Sequence, residues 1–189
     1  MSVSVELISV LQESGAYYRP WQQGFASLGP AQRAALNHAL MLREGLSGWT
    51  MPAPASAPIV DRLVSDWARV PRAAYLMACA RQRPTLLASR LLLDLPSAAI
   101  GFMRMGFEPA PAGFAITSHV QLLGWGGADL QRDLAPYVPA WLHQRLGLWF
   151  SGLQVPDVRA APPHADARTD LTCFWSAWHH AVQLSRVPA

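Results

Sequence analysis

The chain has 189 residues, 51% of them hydrophobic and 14% charged, which suits one domain with a substantial core and leaves little material for two. A formal charge of +3 and a pI near 9.3 favour an acidic partner over a basic one, but the excess is too small to mark a nucleic-acid binder. Two cysteines exclude a disulfide framework. Low charge combined with eight tryptophans has two readings: a partner covers part of the apolar surface, or the core is rich in tryptophan.

The opening MSVSVELISV has no basic segment and carries Glu6 inside its apolar part, so it is not read as a signal peptide and a cytoplasmic address is expected. Residues 3 to 13 form a short helix with Val3, Leu7, Val10 and Leu11 on one face. After a loop containing Pro20 and Trp21, Pro30 starts a helix whose Ala35, Ala39, Leu42 and Leu46 recur at helical spacing and predict a buried stripe. Met51 to Pro58 reads as a linker. Ser56 then caps a helix that turns Ile59, Val60, Leu63, Val64 and Trp67 inward and Asp61, Arg62, Ser65 and Asp66 outward.

From Trp67 to Pro96 three prolines punctuate one of the most apolar regions. Val70 precedes a proline, which pushes it away from helical angles, and Pro71 suits the first turn of a new helix, where its missing N–H would be unpaired anyway. That helix carries Ala73 to Ala80 as an unbroken apolar run with no solvent face, which predicts a central position and a buried Cys79. Pro84 and Pro96 open further helices bearing Leu86, Leu87 and Leu91 to Leu93, then Ala98, Ile100, Phe102 and Met103. The pattern predicts an all-α fold, a single irregular globular bundle of about eight to ten short helices with proline-marked corners. Leu86 to Met105 is the longest apolar stretch, yet Arg90, Asp94, Pro96 and Arg104 interrupt it, so no transmembrane helix is expected.

Glu108 to Gly113 reads as a soft joint, and 116 to 125 as a helix in preference to an extended run. Gly126 and Gly127 are expected to break the chain before a short helix holding Leu130 and Leu134. Pro139 opens a helix with Leu142, Leu146, Trp149 and Leu153 on one stripe. Residues 154 to 168 form a Pro/Ala-rich linker, and Thr169 or Asp170 caps a final helix bearing Leu171, Phe174, Trp175, Trp178 and Val182. The expected organisation is a helical domain over 1–153 with its core in 57–153, the linker, and a C-terminal helix over 169–189 packed on the same domain.

Chemistry-bearing patterns are sparse. The histidines His179 and His180 project about 100° apart on a helix and cannot share an ion in the i, i+4 manner, so no metal or cofactor is expected. His38, His119, His143 and His164 lie outside any nucleophile motif, and Gly124 to Gly127 reads as a turn. Asp129 and Asp133 are expected to be solvated surface charges. No enzyme activity is therefore expected. Arg69, Arg72, Arg81 and Arg83 flank the apolar helix and have two readings, solubilising rims or a basic docking patch for an acidic protein surface. Trp175 and Trp178 are core residues or a second contact site.

The stretch from Trp67 to Phe150 resembles the SctK accessory proteins of bacterial type III secretion systems, in the invasion-type branch of OrgA and MxiK. The likeness rests on Trp67, Arg69, Pro71, Ala74, Tyr75, Leu76 and Cys79, continues through Arg83, Leu86, Leu95, Pro96, Ala99 and Phe102, and extends downstream. There it takes in Gln121, Leu122, Tyr137, Pro139, Leu142, Gln144, Arg145, Leu148 and Phe150. The resemblance implies a non-enzymatic adaptor at the cytoplasmic face of the inner membrane, without membrane insertion. Its implied partners are the SctD-type ring protein and the SctQ-type pod protein, and through the latter the SctL stator and the SctN ATPase. A small helical nucleic-acid-binding regulator, motivated by the net positive charge and the arginine rims of the apolar helix, is the alternative, and an enzyme using His179 or His180 comes last.

Overall fold

A computed structural model describes residues 4–109, 115–153, 171–185 and 187–188. The expected 154–168 linker, Val3, the caps Thr169 and Asp170, and most of the 108–113 joint lie outside these residues. The described residues are helical with no strand, in agreement with the all-α expectation. Eleven α-helices occur among them: α1 Val5–Gln12, α2 Ser14–Tyr17, α3 Gln22–Phe25, α4 Pro30–Arg43, α5 Ala57–Ser65, α6 Val70–Arg81, α7 Arg83–Leu87, α8 Ser97–Met103, α9 His119–Leu134, α10 Ala140–Leu148 and α11 Thr172–His180.

Prolines mark the starts. Pro30 is the first residue of α4, Pro58, Pro71 and Pro84 are the second residues of α5, α6 and α7, and Pro96 and Pro139 stand just before α8 and α10. In each case the ring occupies a position where no helical N–H bond would form. Leu95, before Pro96, is extended as the steric rule requires. Val70, before Pro71, is not: a 3-10 turn over Trp67–Arg69 runs straight into α6, so the expected corner is a continuous helical passage with Val70 fully buried at its start. Ser56 occupies the N-cap position of α5 but its side chain makes no capping bond, and Leu171 stands in the N-cap position of α11.

The chain divides into two compact units. The first comprises residues 1–67 and 134–152. Its core gathers Tyr17, Tyr18, Leu40 and Leu148, with Trp21, Leu46, Trp67 and Trp149 packed against them. Tyr17 meets Trp67 edge to face at 5.3 Å between ring centroids and Trp149 at 5.7 Å. Val60, Leu63 and Val64 of α5 are buried as their spacing predicts. On α4 the predicted stripe is wrong. Ala35, Ala39 and Leu42 face outward, Leu42 being 71% exposed, while Asn37 and Leu40 are buried. The helix is rotated because Asn37 Oδ1 accepts the Gly15 N–H at 2.7 Å, satisfying a buried donor that an alanine could not serve.

The second unit comprises residues 68–133 and 153–189 and is built around α6, whose Ala73 to Ala80 are all buried as predicted. Helices α8 and α11 pack on α6, and α9 approaches it closely at Gly126. The expected break at Gly126 and Gly127 is absent: α9 is one helix of 16 residues. Gly126 lies against the Ala74 backbone, and a Cβ there would overlap the Ala74 carbonyl. The glycine is thus a close-approach residue and not a turn.

Candidate partner-binding site

The arginines flanking α6 have separate fates. Arg81, at its C-terminal end, points inward to Asp129 and Asp133, which sit one turn apart on α9. Its Nη2 donates to Asp133 Oδ2 at 2.5 Å and its Nη1 approaches Asp129 Oδ2 at 3.4 Å. Arg132 closes the group from the solvent side, donating to Asp129 Oδ1 at 2.6 Å with Nε 3.4 Å from Asp133 Oδ1. The two carboxylates are therefore buried and paired, not solvated surface charges as their spacing suggested. Burial works against the Arg81 charge, but the two carboxylates outweigh it and raise its pKa.

Arg72 donates from Nη1 to the Leu184 carbonyl at 2.9 Å and from Nη2 to the Ala68 carbonyl at 3.5 Å, holding the segment after α11. Arg83 donates from Nη1 to the Met103 carbonyl at 3.4 Å, at the C-terminal end of α8. Arg69 lies half-buried in the 3-10 turn. Arg81 has its charge cancelled by buried carboxylates whereas Arg72 and Arg83 are held by backbone carbonyls, so the arginines do not form the uniform rim that the sequence suggested. Trp178 is buried and packs on Phe174 at 5.8 Å, while Trp175 is half-buried beside the same ring at 4.7 Å.

The adjacent histidines of α11 are occupied by their own helix. His179 Nδ1 meets the Trp175 carbonyl at 2.7 Å and His180 Nδ1 the Ser176 carbonyl at 2.9 Å, each bonding back one helical turn. Among the described residues no three His, Cys, Asp or Glu side chains form a group able to hold a metal ion. A chain of titratable groups that the sequence reading overlooked does occur in the second unit. Tyr75 Oη lies 2.8 Å from His119 Nδ1, and Cys79 follows one turn further along α6. Burial pushes the Tyr75 hydroxyl and the Cys79 thiol well up, so both stay protonated and Cys79 is a poor nucleophile.

The first unit holds the second overlooked group. Arg145 of α10 is 1% exposed and has no carboxylate partner among the described residues; it donates to the carbonyls of Ser47 at 2.9 Å, Trp141 at 3.0 Å and Leu11 at 3.5 Å. Burial lowers its pKa. Gln144 Oε1 accepts from both the N–H and the hydroxyl of Ser47 at 2.7 Å, and Trp141 Nε1 donates to the Thr50 carbonyl at 2.9 Å. One face of α10 thereby pins the 47–50 segment, which gives Gln144 and Arg145 a structural task. A groove of about 400 Å³ in the same unit is walled by Phe25, Pro30 and Met41 with Glu13, Arg33 and His38.

Neither a curated protein nor a solved structure matches the chain. No helix among the described residues is long and apolar enough to cross a membrane. A family model does match, that of the bacterial type III secretion apparatus protein OrgA_MxiK, over residues 23–183. The match spans most of both units, including the proline-punctuated stretch, the α6–α9 ion-pair group and the Gln144 and Arg145 pins of α10. A match over that span shows the family: the chain belongs to the OrgA/MxiK family of bacterial type III secretion apparatus proteins.

Proposed function

We propose that this protein is a non-enzymatic adaptor of the injectisome sorting platform, linking the cytoplasmic domain of the SctD-type ring protein to the SctQ-type pod protein at the cytoplasmic face of the inner membrane. Contact with the SctL stator and the SctN ATPase is then indirect. The family match over residues 23–183 carries this reading. Its physical support is the presence of two compact units with unlike charge. The first unit has five arginines against five carboxylates, and the second has ten against seven, so the whole net charge of +3 belongs to the second. Two surfaces of different character suit two different partners.

The nucleic-acid alternative loses support from the burial of Arg81 against Asp129 and Asp133, which removes one of the arginines that motivated it. A clean deletion tests the adaptor reading: secretion of effector proteins should stop and return on complementation. Normal secretion in the deletion strain, or salt-dependent DNA binding by the purified protein, would overturn it.

A further inference from the structure

Three consecutive short elements of the second unit each present an arginine beside an exposed large apolar side chain. On α7, Arg83 and Leu87 are four residues apart and share a face, and Leu87 is 61% exposed. In the 3-10 turn Arg90–Asp94, Arg90 and Leu93 are three apart, the spacing at which side chains of such a turn eclipse, and Leu93 is 86% exposed. At the C-terminal end of α8, exposed Arg104 precedes Met105, which is 47% exposed. The Arg83 bond to the Met103 carbonyl joins the start of α7 to the end of α8, and α7 packs on the 3-10 turn, so the three pairs belong to one corner.

We infer that this corner, formed by Arg83, Leu87, Arg90, Leu93, Arg104 and Met105, is the docking surface for an acidic protein segment with an apolar stripe, carried by one of the two apparatus partners. The inference rests on the adaptor reading above and adds the surface and the chemistry of its occupant. Exposed leucines and a methionine need an apolar stripe opposite them, and arginine and methionine are enriched at the cores of interfaces. Arg90 and Arg104 make no ion pair among the described residues, and Arg83 is held by a carbonyl, so all three charges remain uncancelled and call for carboxylates. A protein is favoured over an anionic membrane because exposed Asp94 adjoins Leu93 and exposed Glu108 follows Met105: a protein can set a neutral or basic side chain opposite each while keeping carboxylates opposite the arginines, whereas a layer of lipid phosphates would be repelled by both. The corner also exposes no tryptophan or phenylalanine to insert among headgroups.

The test is calorimetric titration of the full chain with the purified pod protein and, separately, with the ring protein's cytoplasmic domain. Arg90→Glu/Leu93→Glu and, independently, Arg104→Glu should each raise Kd for one partner by about tenfold or more, leave the other partner's Kd unchanged, and leave the melting temperature unaltered. Higher salt should weaken the affected complex of the unsubstituted protein. Unchanged binding of both partners by both variants overturns the docking surface while leaving the adaptor reading intact. Binding of phosphatidylglycerol vesicles that the same substitutions abolish overturns it in favour of a membrane. If the unsubstituted chain binds neither protein, the adaptor reading fails and this surface falls with it.

Discussion

Gly126 of α9 lies so close to the carbonyl of Ala74 on α6 that a methyl group at position 126 would overlap that oxygen. Since the obstacle is backbone, relief requires moving a helix. Gly126→Ala should cost about 1–3 kcal/mol or more, read as a lower urea midpoint. Gly101 of α8 has open space where its Cβ would be, so Gly101→Ala should stabilise by about 0.5–1 kcal/mol. Opposite signs for two helical glycines would separate close packing from helix propensity.

Arg81 gives a second prediction. Arg81→Ala leaves Asp129 and Asp133 buried with only the partly exposed Arg132 to neutralise them, and should cost about 3–5 kcal/mol. Removing Asp133 as well, in Arg81→Met/Asp133→Leu, should cost clearly less than the sum of the single changes. Equal and additive losses in denaturant titrations would contradict the coupling.

Tyr75 is wholly buried on α6, with its hydroxyl 2.8 Å from His119 Nδ1. Tyr75→Ala should cost about 3–5 kcal/mol through the cavity it leaves. Tyr75→Phe should cost about 1 kcal/mol, the worth of one hydrogen bond plus the unpaired imidazole nitrogen. Denaturant midpoints of the two variants check both values.

The buried Tyr17 hydroxyl, which donates to the Val10 carbonyl at 2.5 Å, is pushed up to about 12 by burial, partly offset by Ser14 and Arg145. A phenol whose pKa is raised on folding stabilises fully below its unfolded value near 10, and this contribution is lost as the pH rises towards 12, because the unfolded chain ionises first. Stability should therefore show no pH dependence from Tyr17 near neutrality and fall above pH 10, by an amount on the order of 3 kcal/mol from this group. Tyr17→Phe should flatten that limb of the stability curve; an unchanged slope would mean that Tyr17 does not titrate there.

How far the sequence carried the fold follows from the physics of each element. The run Ala73 to Ala80 announces its own burial because a helix apolar all round has nowhere else to go, and prolines at helix starts mark their own positions. Gly126 misleads because glycine's poor helix propensity is a local signal, whereas its use here is a contact with a helix some 50 residues earlier. The α4 stripe misleads for a related reason. Its alanines contribute little burial energy, so the Asn37 bond to Gly15 can set the rotation of the helix. Arg145 and the pair Asp129 and Asp133 look like surface charge in any window, since only the tertiary fold brings carbonyls or Arg81 to them. The proposed docking corner was half legible: Arg83 stood out in the sequence, but the exposure of Leu87 and Leu93 within an apolar run did not.

The central claim is that this chain bridges two parts of the secretion apparatus. Its most direct test is size-exclusion chromatography with light scattering on the purified protein mixed with the pod protein and the ring protein's cytoplasmic domain. The account predicts one complex containing all three, and no pod–ring complex when this protein is omitted. A mixture in which the protein joins neither component, or in which pod and ring associate equally well without it, would contradict the account.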